Sequence, residues 1–498
     1  MSRLPKPPVR KLSERAVKLK TWQLTAGAAG VGLVIAAGAV AAAGPWDSSG
    51  QRTAERDRAA SQEAGGGADH DGGTSAGAPK AAPSAPSVLS GLGAPAGSAP
   101  APTGRALADV LDPLLKNRAL GPHRSAVVLD AATGKRIYGK EAGAAATPAS
   151  TIKIATAVAA LSAAGADHRI ATKAVIEPGT KEVVLVGGGD PTLTARKDGK
   201  YVAQSASLRD LAEDTARALK DRDESKIKIS YDTSLYSGPP LHPIGPNENL
   251  SPVSALMADE GRLDDSSSGP APRAGDPAAD AAKKFADLLR DHGVDVSADA
   301  PGPSKAGDNA ESLAKVESPP LSSLVERMLT HSDNDIAEAL ARQTALASDE
   351  PASFDGGGKA VEKQLGKLEL PLPGTKFADG SGLDRADRIS AELLSTLLAR
   401  AADPARPQLR SVITGLPVAG FTGTLVDRYP KESPGTGVVR AKTGTLTGVN
   451  TLAGTVVDAD GRFLVFAFMA DGTTDPQAAQ AALDHMASSL ANCGCRDE

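Results

Sequence analysis

The stretch GVVRAKTGTLTGVNTLAGTVVDADGRFLVFAFMA, residues 437–470, decides how the rest of the chain is read. Three strand-like runs, Gly437–Thr445, Asn450–Val457 and Arg462–Ala470, are joined by Thr447-Gly448 and by Asp458–Gly461, both turn signals. That pattern predicts an antiparallel meander, followed by a helix over Asp475–Leu490. Upstream, Leu321–His331, Asp335–Ala347 and Ala391–Arg400 carry apolar residues at helical spacing. Further upstream, Ala126–Leu129 and Arg136–Tyr138 flank Ala131-Ala132-Thr133-Gly134 as a hairpin, and an Ala-rich helix begins after Thr147-Pro148 and runs to about Ala163. Between these, the strands Lys181–Val186 and Ile227–Tyr231 alternate with a helix Leu208–Leu219, and another helix is predicted over Asp280–Asp291. A helix, an inserted mixed segment, more helices and a closing meander make an α+β fold.

Composition removes whole classes of function. The 498 residues include 36 Pro and 52 Gly but only 3% aromatics, so part of the length does not belong to a core. Two cysteines, Cys493 and Cys495, exclude a disulfide-stapled scaffold and a four-cysteine zinc site. Whether they pair or remain thiols is left open by the sequence. The seven histidines include no pair at i, i+4, and no metal site is expected. A net charge of −5 gives no basic field to recruit nucleic acid.

That charge is unevenly placed. The first 20 residues carry seven Lys and Arg against Glu14 alone, a local +6 that leaves −11 on the remainder. Residues 1–23 read as a basic cytoplasmic tail. Leu24–Gly44 then runs 21 residues without a charge, enough for a span that needs ~20. The basic flank orients the downstream chain outward, which places the body outside the cytoplasm on a single-pass cell-membrane anchor. Ala41-Ala42-Ala43 also fits a signal cleavage site, which would make the protein secreted, although signal cores usually run ~7–15 residues. Residues 45–103, rich in Ala, Gly, Ser and Pro, bury too little apolar surface to fold and are expected to be a disordered linker.

Three short motifs fall in order in the rest of the chain. In Ser150-Thr151-Ile152-Lys153, Thr147 is the expected N-cap and Pro148 the first helical residue, which puts Ser150 in the opening turn. Lys153, three residues on, then lies ~5–6 Å from it on the same face, placed to take the serine proton if its pKa is lowered. Alone, the tetrapeptide reads first as an ordinary capped helix with an exposed lysine. Ser332-Asp333-Asn334 lies between two predicted helices, where it either caps the second or aims a hydroxyl and an amide into a cleft. In Lys442-Thr443-Gly444, on a predicted strand, the glycine marks close approach of another backbone or a ligand. Together these supply a nucleophile, a base, a proton relay and a cation for a carboxylate.

The set resembles the D-alanyl-D-alanine carboxypeptidase/endopeptidase family, the class C low-molecular-mass penicillin-binding proteins of the penicillin-recognising serine acyltransferase superfamily. The resemblance extends to Gly187–Leu193, Ser251–Leu256, Asp379–Leu383, Leu416–Gly420, Gly423–Leu425 and Leu452–Gly454, in family order over nearly all of 104–498. It implies a β-lactamase/transpeptidase-like catalytic domain at 104–169 and 265–498, with a smaller mixed domain, 170–264, inserted between the first two motifs. Ser150 and Ser332 lie 182 residues apart, so one family insertion is kept and the loop Asp264–Pro277 stands in place of a second.

The resemblance also implies roles. Ser150 is the acylated nucleophile, Lys153 its base, Ser332 and Asn334 the proton and substrate network, and Lys442 the cation for the substrate carboxylate. Thr443, Gly444 and Thr445 line the substrate, and the Ser150 and Thr445 amides form an oxyanion hole. Ser381 and Arg385 help bind substrate, Arg385 at the free end of a diaminopimelate side chain, with an acidic partner near Glu248. No cofactor is implied. The expected substrates are peptidoglycan stem peptides ending in D-Ala-D-Ala, with β-lactams as covalent inhibitors. A β-lactamase-type hydrolase and a catalytically silent wall-binding homologue are the alternatives.

Overall fold

The structure, a computed structural model, describes residues 99–495. The expected tail, membrane segment and all but the last few residues of the linker lie outside the described residues, and among those described no helix is long and apolar enough to cross a membrane.

In chain order the elements are α1 (Gly104–Leu115), β1 (His123–Asp130), β2 (Arg136–Lys140), β3 (Ala145–Ala146), α2 (Lys153–Ala164), β4 (Ala171–Ile176), β5 (Glu182–Val186), α3 (Leu208–Asp221) and β6 (Lys226–Asp232). Next come α4 (Pro277–Asp291), β7 (Asp295–Val296), β8 (Gly302–Pro303), β9 (Glu311–Glu317), α5 (Leu321–His331), α6 (Asn334–Leu346) and α7 (Phe354–Lys367). The last are β10 (Ile389–Ser390), α8 (Ala391–Ala402), α9 (Arg410–Thr414), β11 (Arg440–Leu446), β12 (Val449–Val457), β13 (Phe463–Asp471) and α10 (Pro476–Ala491).

The closing meander forms as read from the sequence and joins the first hairpin in a five-stranded antiparallel sheet of order β11-β12-β13-β1-β2. Its inner strands β12, β13 and β1 are covered on both sides, and alternation decides which side each residue meets. Val127 and Leu129 pack with the helices α2 and α5 to α8, whereas Ala126 and Val128 pack with α1 and α10. Helix α2 is buried from Lys153 through Leu161, as a helix apolar on all sides must be. It is the central helix of the molecule and it carries the first motif into the interior. The two ends of the body meet, because the Thr103 amide donates to the Cys495 carbonyl at 2.9 Å. Cys493 and Cys495 are joined by a disulfide.

A second, six-stranded mixed sheet has the order β7-β6-β5-β4-β9, with β8 beside β6. The parallel pair β5 and β6 is connected through α3, as a parallel crossover requires. This sheet has a separate core with α3 and α4, including Leu211, Leu219, Phe285 and Leu289. Its elements extend from Ala171 to Glu317, well beyond the boundary at 264 expected from the sequence. Helix α4 is the reason: its apolar stripe shows that it is a helix but not which of two cores receives it.

Candidate active site

The Ser150 turn is built differently from the expected cap. Ala149–Ile152 is a turn of 3-10 helix running into α2 at Lys153. Thr147 does not cap it; its hydroxyl accepts from Arg388 Nη1 at 3.1 Å. The Pro148 carbonyl is instead held by the hydroxyls of Thr151 and Thr451, at 2.7 and 2.8 Å. Ala149 adopts a left-handed φ of 49°, a strained conformation for a residue with a Cβ. Two backbones brace it. A Cβ on Gly382 would lie 2.1 Å from the Ala149 carbonyl oxygen, and one on Gly444 would lie 2.6 Å from that of Pro148 and 2.1 Å from Thr451 Oγ1. The close approach expected at Gly444 is thus to the backbone just before Ser150. Gly444→Ala is therefore expected to push the Ser150 turn aside, lowering stability by about 1–3 kcal/mol and penicillin acylation with it. Thermal unfolding and labelling kinetics of the variant check this.

Lys153 Nζ donates to Ser150 Oγ at 3.0 Å, Asn334 Oδ1 at 2.7 Å and the Ser381 carbonyl at 2.5 Å. Its side chain is wholly buried. Burial pushes its pKa down to about 8, against the opposing charges of Asp379 and Glu338. The alternative of an exposed lysine on a capped helix is excluded by this burial.

Ser332-Asp333-Asn334 does both things left open for it. Asp333 caps α6 by accepting from the Ile336 amide at 3.0 Å. The turn into that cap holds Ser332 in a left-handed conformation, φ 57°. Ser332 Oγ there accepts from Lys442 Nζ at 2.8 Å, while Asn334 reaches Lys153. Behind the motif, Glu260 pairs with Arg262 and Arg327, and Asp335 pairs with Arg273 at 3.0 Å. This buried cluster ties the Asp264–Pro277 loop to the motif.

Lys442 is fully buried on the edge strand β11. Besides Ser332 it donates to the Thr443 carbonyl at 2.8 Å. Burial, then Lys153, then Arg428 all push its pKa well below the ordinary lysine value. Among the described residues Lys442 pairs with no carboxylate, so a carboxylate brought into this cleft would favour its charged form and supply the missing counter-charge. Thr443 Oγ1 lies 2.8 Å from Thr424 Oγ1, and the exposed Thr445 accepts from Gln480 Nε2 at 3.3 Å. As an edge strand, β11 leaves alternate backbone groups unpaired by the sheet, and amides of this kind can receive an oxyanion.

The loop carrying Asp379–Leu383 closes the site from the other side. Ser381, expected to help bind substrate, is fully buried, and its carbonyl accepts from Lys153. Arg385 is exposed on the rim and donates to the Thr447 carbonyl at 2.6 Å. Glu248 is exposed beside Asn249, whose carbonyl accepts from Asn334 Nδ2 at 2.9 Å.

Sequence reasoning missed what fixes this loop. Asp379 accepts from the amides of Ser381 at 2.9 Å, Gly382 at 2.6 Å and Asp384 at 2.7 Å, and from His242 Nε2 at 2.9 Å. Burial opposes its charge, but these hydrogen bonds win and hold its pKa at about 2. Burial and the Asp379 charge in turn push Asp387 up to about 10, so that carboxyl stays protonated. His242 sits in a Pro-rich stretch with no motif around it, and Asp387 is one acid among many in the sequence. Neither gave a signal.

The chain matches the D-Ala-D-Ala carboxypeptidase 3 (S13) family over residues 107–272 and 267–493. It is 36% identical over 411 residues to carboxypeptidase DacB of Mycolicibacterium smegmatis, covering 80% of this chain and 86% of that one. It is 28% identical over 443 residues to the D-alanyl-D-alanine carboxypeptidase of Actinomadura sp. strain R39, covering 74% of this chain and 82% of that one. Among solved structures, penicillin-binding protein 4 of Haemophilus influenzae superposes with a TM-score of 0.62 at 22% identity, over 76% of this chain and 99% of the other. That likeness establishes the penicillin-binding fold with its mixed helices and sheets.

Proposed function

Because this chain belongs to the D-Ala-D-Ala carboxypeptidase 3 (S13) family and is a serine-type peptidase, we propose that Ser150 is its nucleophile and that its substrates are peptidoglycan stem peptides ending in D-Ala-D-Ala. The observation that carries this reading is the convergence of three distant motifs on one cleft: Ser150 touches Lys153, Lys153 touches Asn334, and Ser332 touches Lys442.

In the proposed reaction, Ser150 Oγ attacks the carbonyl between the last two residues as neutral Lys153 takes its proton. The tetrahedral oxyanion is received by backbone amides of the Ser150 turn and of β11, with Lys442 holding the terminal carboxylate. The C–N bond breaks, D-Ala leaves with a proton delivered through Ser332, and water hydrolyses the ester to free Ser150. A β-lactam enters the same cleft and leaves its ring-opened acyl group on Ser150. The same chemistry on a cross-link would release a D-Ala–diaminopimelate bond.

We further propose that the N-terminal basic and apolar segments hold this body on the outer side of the cell membrane, near its substrate. The charge asymmetry and the uncharged run support that placement.

Mass spectrometry of muropeptides incubated with the protein tests the reading. Loss of one D-Ala is expected; products of cross-link cleavage reveal the endopeptidase, and unchanged muropeptides overturn the substrate assignment. The pH dependence is also fixed. Lys153 must be neutral to act and titrates at about 8. Acylation is therefore expected to rise about tenfold per pH unit up to about 8 and to level off above it. A rate flat from pH 6 to 8 contradicts Lys153 as the base.

A further inference from the structure

We propose that His242, on the loop between β6 and α4, is a positioning residue that fixes the acceptors around Lys153. The proposal rests on reading Lys153 as the base and adds a residue outside all three motifs.

The loop of 233–258 belongs to the second sheet's side of the molecule, yet it governs two of the three groups around Lys153 Nζ. Asn334 is held by the Asn249 carbonyl. The Ser381 carbonyl is held through Asp379, which gathers the Ser381, Gly382 and Asp384 amides and is itself gripped by His242 Nε2. The His242 and Asp379 side chains are 2% and 0% exposed, so no water replaces this bond readily. The imidazole is fixed on its other edge too. Nδ1 accepts from the Ile244 amide at 3.2 Å, which sets the tautomer with the proton on Nε2, facing Asp379. Phe354 packs edge-on against the ring at 5.1 Å between centroids.

An orienting group of this kind acts on rate more than on binding, because it sets where the base lies rather than what the substrate touches. The hydrogen bonds of His242 go to Asp379 and Ile244 rather than to Ser150, Ser332 or Lys442, which separates it from the substrate cleft.

Two variants of the full chain test the assignment. His242→Phe keeps a ring against Phe354 but has no donor; His242→Gln keeps an N–H that reaches Asp379. With a fluorescent penicillin, His242→Phe is expected to slow the covalent step about 10- to 100-fold, with the affinity of the preceding complex unchanged within about twofold. In the free protein, exchange of the Ser381 and Gly382 amides should accelerate at least about tenfold. His242→Gln should recover both to within about threefold. Acylation by His242→Phe at the wild-type rate, amide exchange unaltered, or a loss shared equally by His242→Gln overturns the proposal. If Ser150→Ala still becomes labelled, the nucleophile reading fails, and the exchange measurement on the free protein still decides the role of His242.

Discussion

Ser150→Ala is expected to abolish covalent labelling by a fluorescent penicillin, a loss of at least about 10³-fold in acylation. The size reflects chemistry that no neighbour can replace. Thr151, the nearest other hydroxyl in the turn, donates to the Pro148 carbonyl and is fully buried. Ser332 accepts from Lys442 and is the proposed route of the proton to the leaving group. Removing one hydroxyl from a partly exposed position leaves the turn braced by Gly382 and Gly444, so the variant should melt at nearly the wild-type temperature. Gel fluorescence beside a thermal melt is sufficient to check this. Labelling that persists in a folded Ser150→Ala protein would falsify the nucleophile assignment.

Lys153→Met has the second largest effect expected, about 10²- to 10⁴-fold in acylation, the range for loss of a positioned general base. Methionine fills nearly the same space without the amine, so binding of the penicillin should be spared while the covalent step is lost. The other lysine of the cleft cannot take over, since Lys442 Nζ is turned to Ser332 and to its own strand. The rise in rate toward pH 8 should disappear with the base. Stability responds to two opposing effects. The variant leaves Asn334 Oδ1 and the Ser381 carbonyl without their donor, at about 1–3 kcal/mol for each buried group. It also removes an amine whose pKa, lowered to about 8 from 10.5, makes the charged form unfavourable to fold. That handicap is full below pH 8 and fades as pH rises toward 10.5, so the variant compares best with wild type at neutral pH. A melt at pH 7 and at pH 9.5 checks the sign.

The convergence of the three motifs was legible because each uses residue types whose chemistry can be recognised without knowledge of the fold. A serine three residues before a lysine at a helix start needs only the helical repeat to bring the two together. The meander was equally plain, since its two-residue turn at Thr447-Gly448 fixes the pairing of Lys442 with Ala453 across β11 and β12. The rest was hidden for definite reasons. Thr147 has the identity of a cap, but Arg388, 241 positions away, takes its hydroxyl. Ser381 lies in a recognisable block, and only the fold shows that it is buried with its carbonyl accepting from Lys153. The clusters around Asp379 and Glu260 join residues from segments far apart, and charged residues in loops look alike until the chain closes around them.

The bond from the Thr103 amide to the Cys495 carbonyl bears on engineering. A body whose two ends meet can be rewired: a short bridge from 495 to 103 would close the chain into a ring. The ring could then be reopened at Pro178-Gly179, an exposed turn between β4 and β5. The same geometry means that cargo fused at either end departs from one corner of the enzyme. A single attachment point could thus carry both a surface tether and a reporter.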